Sequence, residues 1–288
     1  MVCSPTCSKW HPEAHALTVL PRLVFSDVAT LKLCSSDYLE SNDPEVGHQL
    51  RVAIRRLRAL LWAYQALLPE GLATHWRQKL GDMASQIGPP RNWDVIIDDL
   101  LRAGVPPSHP SALIFLEALE GIRHGAREES RMAISSPTHG ELISAFSVAI
   151  DHVAGAQLEE SKSIEELART RVKAASRQLD KQLTRARDGS LAELHRTRIQ
   201  IKRLRYLLEY FSPVLKKADR KRIASLAQLQ GALGELNDIV VGSTYISELP
   251  AQAEYAPAHE LFMHWLQKEK KVRRRKAVRA LRELSRQR

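Results

Sequence analysis

The stretch HQLRVAIRRLRALL, His48 to Leu61, returns 147 positions later as HRTRIQIKRLRYLL, His195 to Leu208. At that shift His48 falls on His195, Arg51 on Arg198, Arg55 on Lys202, Arg56 on Arg203 and Arg58 on Arg205. Further on, LGDMASQIGPPRN (Leu80 to Asn92) lies over LAQLQGALGELND (Leu226 to Asp238) at a shift of 146, with Gly88 on Gly234. A looser match near a shift of 148 places Arg123, Arg127 and Arg131 over Lys271, Arg275 and Arg279. A self-match of this extent reads as two related halves. We set them at 14–155 and 156–288, after a flexible N-terminal segment 1–13.

Both halves read as helical. Apolar residues recur at spacings of three and four, as in Leu50, Ile54, Leu57 and Leu61, and no segment alternates strictly for long. Breakers divide the chain into helices near 14–40, 45–68, 71–88, 92–103, 110–134 and 140–154, then 159–187, 191–216, 219–235, 238–249 and 256–286. Gly88-Pro89-Pro90 is read as closing a helix, and Asn92 and Asp238 as N-caps of the helices that follow. Helices of this length with short connections predict an all-α fold of two pseudo-symmetric, antiparallel bundles.

The repeated stretch has a definite geometry. At about 100° per residue, His48, Arg51, Arg55, Arg58 and Trp62 share a sector of roughly 80°, while Leu50, Ile54, Leu57 and Leu61 lie about 110° around the helix. One face therefore packs and a neighbouring face presents a rail of cations. Successive charges climb about 4.5 to 6 Å, a spacing that suits a linear anion with closely repeated charges. Like charges so placed repel, and neither stripe contains an acid before Glu209. A basic face on a single helix is ordinarily solvated, but the recurrence favours a bound anion.

Charge distribution supports that reading. The 288 residues carry a net charge of +10, yet residues 1–150 hold 14 Lys plus Arg against 16 Asp plus Glu, and residues 151–288 hold 29 against 17. The first stripe is thus a local basic cluster in a half that is slightly acidic. No apolar run approaches membrane-spanning length and the first residues lack the pattern of a secretory signal, which places the chain in the cytoplasm. The three cysteines, Cys3, Cys7 and Cys34, have no paired metal-ligand spacing and read as idle thiols.

With GPPRNWDV and GELND downstream of them, HQLRVAIRRLRALL and HRTRIQIKRLRYLLEYF resemble the CHAD domain, the conserved histidine α-helical domain. The resemblance covers nearly the whole chain from about residue 14, so that both halves together make one such domain. It implies a basic groove or pore between two helical bundles, binding of inorganic polyphosphate, and recruitment to polyphosphate granules in bacteria. Carried over residue by residue, it assigns polyphosphate binding to His48, Arg51, Arg55, Arg58, His195, Arg198, Lys202 and Arg205. Arg56 and Arg203 belong to the motif but rotate off the stripe, and rank second. The chain departs from the pattern at Gly47, where a better helix former is usual, at Thr197, which replaces an apolar residue, and at Asn92, where aspartate is more usual.

Arginine forks bind phosphate oxygens bidentately and lysine supplies a mobile point charge. His48 and His195 read equally well as hydrogen-bonding ligands or as packed side chains. Secondary candidates are Arg91, the rows Arg123, Arg127, Arg131 and Lys271, Arg275, Arg279, and the row Arg169, Lys173, Arg177. Asp94, Asp98 and Asp99 have no acidic counterparts at Val240, Thr244 and Tyr245, and read as helix-dipole partners rather than metal ligands.

No P-loop, zinc-protease or nucleophile-elbow motif occurs, and neither an enzyme activity nor a cofactor is expected. The alternatives are a nonspecific nucleic-acid-binding protein and an accessory factor for a phosphate-metabolising enzyme. On its cationic face neither stripe carries Asn or Gln, and aromatic residues make up only 6% of the chain, which weighs against base readout and stacking. A membrane partner is not expected, and oligomeric state is not legible.

Overall fold

A computed structural model describes residues 11–155, 162–250 and 252–286. Cys3, Cys7 and most of the segment expected to be flexible lie outside the described residues. Its described end and the residue that follows are tied to the start of α8: Glu165 N–H donates to Pro12 O at 3.2 Å, and Ile164 N–H to Ala14 O at 2.8 Å.

The described residues are all-α. Their helices are α1 (Ala16–Glu40), α2 (Pro44–Tyr64), α3 (Leu72–Gln86), α4 (Gly88–Asp94), α5 (Arg102–Gly104), α6 (Ala112–Ser135), α7 (Pro137–Gly155), α8 (Ile164–Arg185), α9 (Leu191–Tyr210), α10 (Lys217–Ser247) and α11 (Ala256–Arg286). A π-helical stretch, Val95–Leu101, joins α4 to α5. Packing divides the chain into two compact units. The first gathers the described residues of Met1–Gln86, Arg131–Asp180 and Gln200–Leu226; the second gathers those of Ile87–Ser130, Lys181–Ile199 and Ala227–Arg288. Each unit draws on both sides of residue 155, and α6, α8, α9 and α10 each contribute residues to both.

In the first unit, α2 starts where the sequence says it should. Asp43 Oδ1 accepts from Glu45 N–H at 2.8 Å and Pro44 occupies the first turn, where its missing N–H costs nothing. Leu50, Ile54, Leu57 and Leu61 are then fully buried, each contributing about 1.5–3 kcal/mol by its removal from water. α1 packs against α2 and α7, and α2 against α3. Tyr64 Oη donates to Ala16 O at 3.0 Å, joining the end of α2 to the start of α1.

The second unit is built around Trp93, Ile96, Ile97, Leu100, Phe115, Ile239, Phe262 and Leu266. The π turn, which spaces side chains differently from an α-helix, buries Ile96, Ile97, Leu100 and Leu101 together. Gly242 lets α10 approach: a Cβ there would stand 2.9 Å from Leu100 Cδ1.

Three expectations about helix ends are corrected here. Gly88-Pro89-Pro90 opens α4 rather than closing its predecessor, because proline is well placed in a first turn. Asn92 therefore lies inside a helix, and its side-chain amide donates to Tyr245 Oη at 2.9 Å instead of capping. Asp238 is likewise interior, because 219–235 and 238–249 are parts of the single 31-residue helix α10.

Candidate functional site

The first stripe lies in the first unit. His48, Arg51, Arg55 and Arg58 are half-buried along α2. Arg51 Nη1 donates to Ala84 O in the last turn of α3 at 3.4 Å. Arg58 lies on α3 at Gly81, where a Cβ would stand 3.3 Å from its Cζ. The absence of a side chain there lets the guanidinium lie flat on α3. Arg55 Nε is buried without a hydrogen-bond partner.

At the end of α2 the stripe meets arginines from other helices. Arg171 of α8 places Cζ 4.0 Å from the centre of the Trp62 ring and donates to Trp62 O. Arg203 of α9 places Cζ 4.8 Å from the same ring and donates to Gln178 Oε1 at 3.2 Å. Burial, and then the charges of Arg77, Arg171 and Arg58, push Arg203 down to about 10. Arg58 is lowered by burial and by Arg77, with Asp82 offsetting part of this, and Arg171 is lowered by burial. Four guanidiniums thus share one partly desolvated region at the cost of mutual repulsion. An anion with several oxygens relieves that cost and accepts their N–H groups in paired, charge-assisted hydrogen bonds.

Along α9 the second stripe divides between the units. In the second unit, exposed His195 holds Asn237 Oδ1 3.0 Å from its Nδ1. Asn237 Oδ1 can only accept, so Nδ1–H donates in this pair and Nε2 is the acceptor of the ring. Arg198 is half-buried, as is Lys202 in the first unit. Arg205 Nε stands 3.2 Å from Glu209 Oε1, so this end of the stripe has an internal carboxylate.

Arg56 and Arg203, equivalent in the sequence repeat, do different work. Arg56 Nε binds Asp27 Oδ1 at 2.9 Å, its Nη1 binds Glu209 Oε2 at 2.7 Å, and its Cζ lies 4.6 Å from the Tyr210 ring centre. Burial opposes its charge, but Tyr210, Asp27 and Glu209 outweigh that and raise it above its ordinary range. Arg56 is committed to this buried network, whereas Arg203 joins the first stripe.

The secondary rows separate in the same way. Arg123 Nη1 lies 3.3 Å from Asp98 Oδ2, and Arg127 Nη2 lies 2.6 Å from Asp94 Oδ1, so both already hold carboxylates. Burial raises Asp94 despite Arg127, Arg123 and Arg91. Arg131 Nη2 donates to Asn42 Oδ1 at 2.8 Å. Arg169 pairs with Glu165 at 2.5 Å, and Arg279 with Glu283 at 3.3 Å. Lys173, Arg177, Lys271 and Arg275 are exposed. Among the described residues no three His, Cys, Asp or Glu side chains gather as metal ligands. Arg77 and Arg171 were not singled out from sequence. Arg77 stands outside any repeated pattern, and Arg171 falls off the row that links Arg169 and Lys173.

The CHAD domain family model matches residues 24–247, a span that contains both repeat helices. The chain belongs to the CHAD domain family. This CHAD chain is similar to the crystal structure of the CHAD domain from the plant Ricinus communis, with 25% identity over 95% of this chain and 93% of that one, and a TM-score of 0.83. It also shares its fold with PptA from Streptomyces chartreusis, at 15% identity over 93% of this chain and all of that one, with a TM-score of 0.71. No match was found among curated proteins. Among the described residues of this CHAD chain, no helix is long and apolar enough to cross a membrane.

Proposed function

We propose that this chain binds inorganic polyphosphate through the cations of its two repeat helices, and that this binding brings it to polyphosphate granules. The observation that carries the reading is that Arg171 and Arg203 lie over the Trp62 ring in a region shared with Arg58 and Arg77, where burial and then the charges of Arg77, Arg171 and Arg58 push Arg203 down to about 10. Arg51 and Arg55 continue it along α2. Guanidiniums fixed in advance bind without paying to order long side chains. A linear anion meets several of them at once, so affinity rises with chain length through effective concentration alone. The role is that of a binding module, in its own right or as an accessory to a phosphate-metabolising enzyme.

Nucleic acid offers a similar charge pattern, but its single strands need aromatic platforms. Trp62 is a poor platform because two guanidiniums already lie over its ring.

The test is binding of long-chain polyphosphate at near-physiological salt with excess duplex and single-stranded DNA as competitor. Wild type is expected to bind in the presence of DNA. Arg55→Ala/Arg58→Ala/Arg203→Ala should bind at least about tenfold more weakly, since each charge-assisted hydrogen bond contributes roughly 1.5–3 kcal/mol. Lys32→Ala/Arg102→Ala, two exposed cations outside every candidate row, serves as the control. Equal competition by DNA, or a triple variant that is folded and binds as wild type does, would refute the reading.

A further inference from the structure

α8 and the start of α10 flank a half-open cleft of about 400 Å³ in the first unit. That volume falls in the range of small-molecule sites, roughly 300–1,000 Å³. One wall is a single face of α8, where Arg169, Lys173 and Ser176 recur at spacings of three and four. The other carries Lys216, Asp219 and Arg222. Four cations thus line the cavity against one carboxylate.

Its cations are of two kinds. Arg222 Nη1 donates to Ser176 Oγ at 3.2 Å and lies 4.0 Å from Asp219 Oδ1, a hydrogen bond that spans the two walls. Arg169 is steadied by Glu165 at 2.5 Å. Lys173 and Lys216 are exposed, and bring ammonium groups on long, adjustable stems. Val172 and Leu215 supply apolar lining, and none of the lining residues is aromatic, so a nucleobase finds nothing to stack on.

The geometry points to a second anion site, separate from the stripes, that takes one compact ligand bearing two or three phosphoryl groups. A rail reads the length of a chain, whereas a half-open cleft of bounded volume with cations on both walls reads a bounded cluster of charge. Two sources share that chemistry: a small organic bisphosphate and a short inorganic phosphoanhydride.

Isothermal titration with fructose 1,6-bisphosphate, tripolyphosphate and orthophosphate tests the site and separates the sources. Saturable binding of one of the first two at or below about 1 mM, tighter than orthophosphate, is expected. Whichever binds identifies the source. Lys216→Ala/Arg222→Ala should weaken it at least about tenfold while long-chain polyphosphate affinity stays within about threefold of wild type. Conversely, Arg55→Ala/Arg58→Ala/Arg203→Ala should leave compact-ligand binding intact. No saturable binding of either probe, unchanged binding by Lys216→Ala/Arg222→Ala, or loss of compact-ligand binding in the Arg55/Arg58/Arg203 variant would each overturn the second site. None of these results alone bears on whether the stripes hold a long chain, which the DNA-competition experiment decides separately.

Discussion

A single side chain in this protein is informative when its chemistry conflicts with its surroundings. His139 is one: it is 7% exposed on α7, its Nε2 stands 2.9 Å from Ser35 Oγ, and burial lowers its pKa from the ordinary 6.5. The folded state therefore takes up its proton at lower pH than the unfolded state does. Stability from this group is fully present above about pH 6.5 and is lost as pH falls below it, by up to about 1.4 kcal/mol per pH unit until the folded pKa is reached. His139→Leu should flatten the fall in thermal stability between pH 7 and 5 relative to wild type. Parallel curves for the two proteins would show that His139 does not titrate across folding. The departures from the family pattern resolve on the same scale. Gly47 has the Tyr38 ring where its Cβ would be, 3.0 Å away, and Thr197, fully buried, donates Oγ1 to Glu193 O at 2.8 Å. Neither position loosens the packing that surrounds it.

Helices meet at distances set by what their facing residues lack. At Gly104 in α5 a Cβ would stand 2.7 Å from Phe262 and 2.9 Å from Trp265 of α11, whereas at Gly121 in α6 nothing lies within 4 Å. Gly104→Ala should destabilise by about 1–3 kcal/mol through overpacking. Gly121→Ala should stabilise by about 0.5–1 kcal/mol through helix propensity. Opposite shifts in thermal midpoint check the pair; shifts of the same sign would mean that close approach is not what fixes α5 against α11. At this scale the sequence was readable in part. Apolar periodicity located α2 and α9, and the Asp43-Pro44 pair located the start of α2, because those signals are local. The continuity of α10 through Asp238 was hidden because an aspartate at a helix start and one in a helix interior look alike until the backbone before it is known. The π turn had no signal in period or composition. For the candidate site, an angular projection placed Arg51, Arg55 and Arg58 on one face but could not say what faced them. Arg203 was ranked low by its own helix and raised by Arg58, Arg77 and Trp62; Arg56 was drawn away by Asp27, nearly thirty residues earlier in the chain.

Across the whole molecule, the net charge of +10 is a standing cost to the folded state, since compaction brings like charges together. Part of that cost falls where Arg58 and Arg203 are repelled by neighbouring arginines in partly desolvated positions. Salt screens such repulsion over about 8–10 Å at physiological strength. The thermal midpoint of the ligand-free protein should therefore rise as sodium chloride goes from about 10 to 150 mM, a range over which the screening length falls from about 30 to 8 Å. Long-chain polyphosphate should raise it further at fixed salt, because a ligand at a hundred times its dissociation constant contributes about 2.7 kcal/mol. The same salt that steadies the free protein competes with the polyanion, so the ligand-induced shift should shrink as salt increases. Replacing Arg203 by Gln removes one member of the cluster, and should both flatten the salt dependence of the free protein and reduce the shift that polyphosphate gives. Thermal melts of wild type and Arg203→Gln across this range, with and without polyphosphate, check all of these effects together. A variant that retains the wild-type salt slope would show that the repulsion lies elsewhere on the chain and that the cluster around Trp62 is not strained for want of an anion.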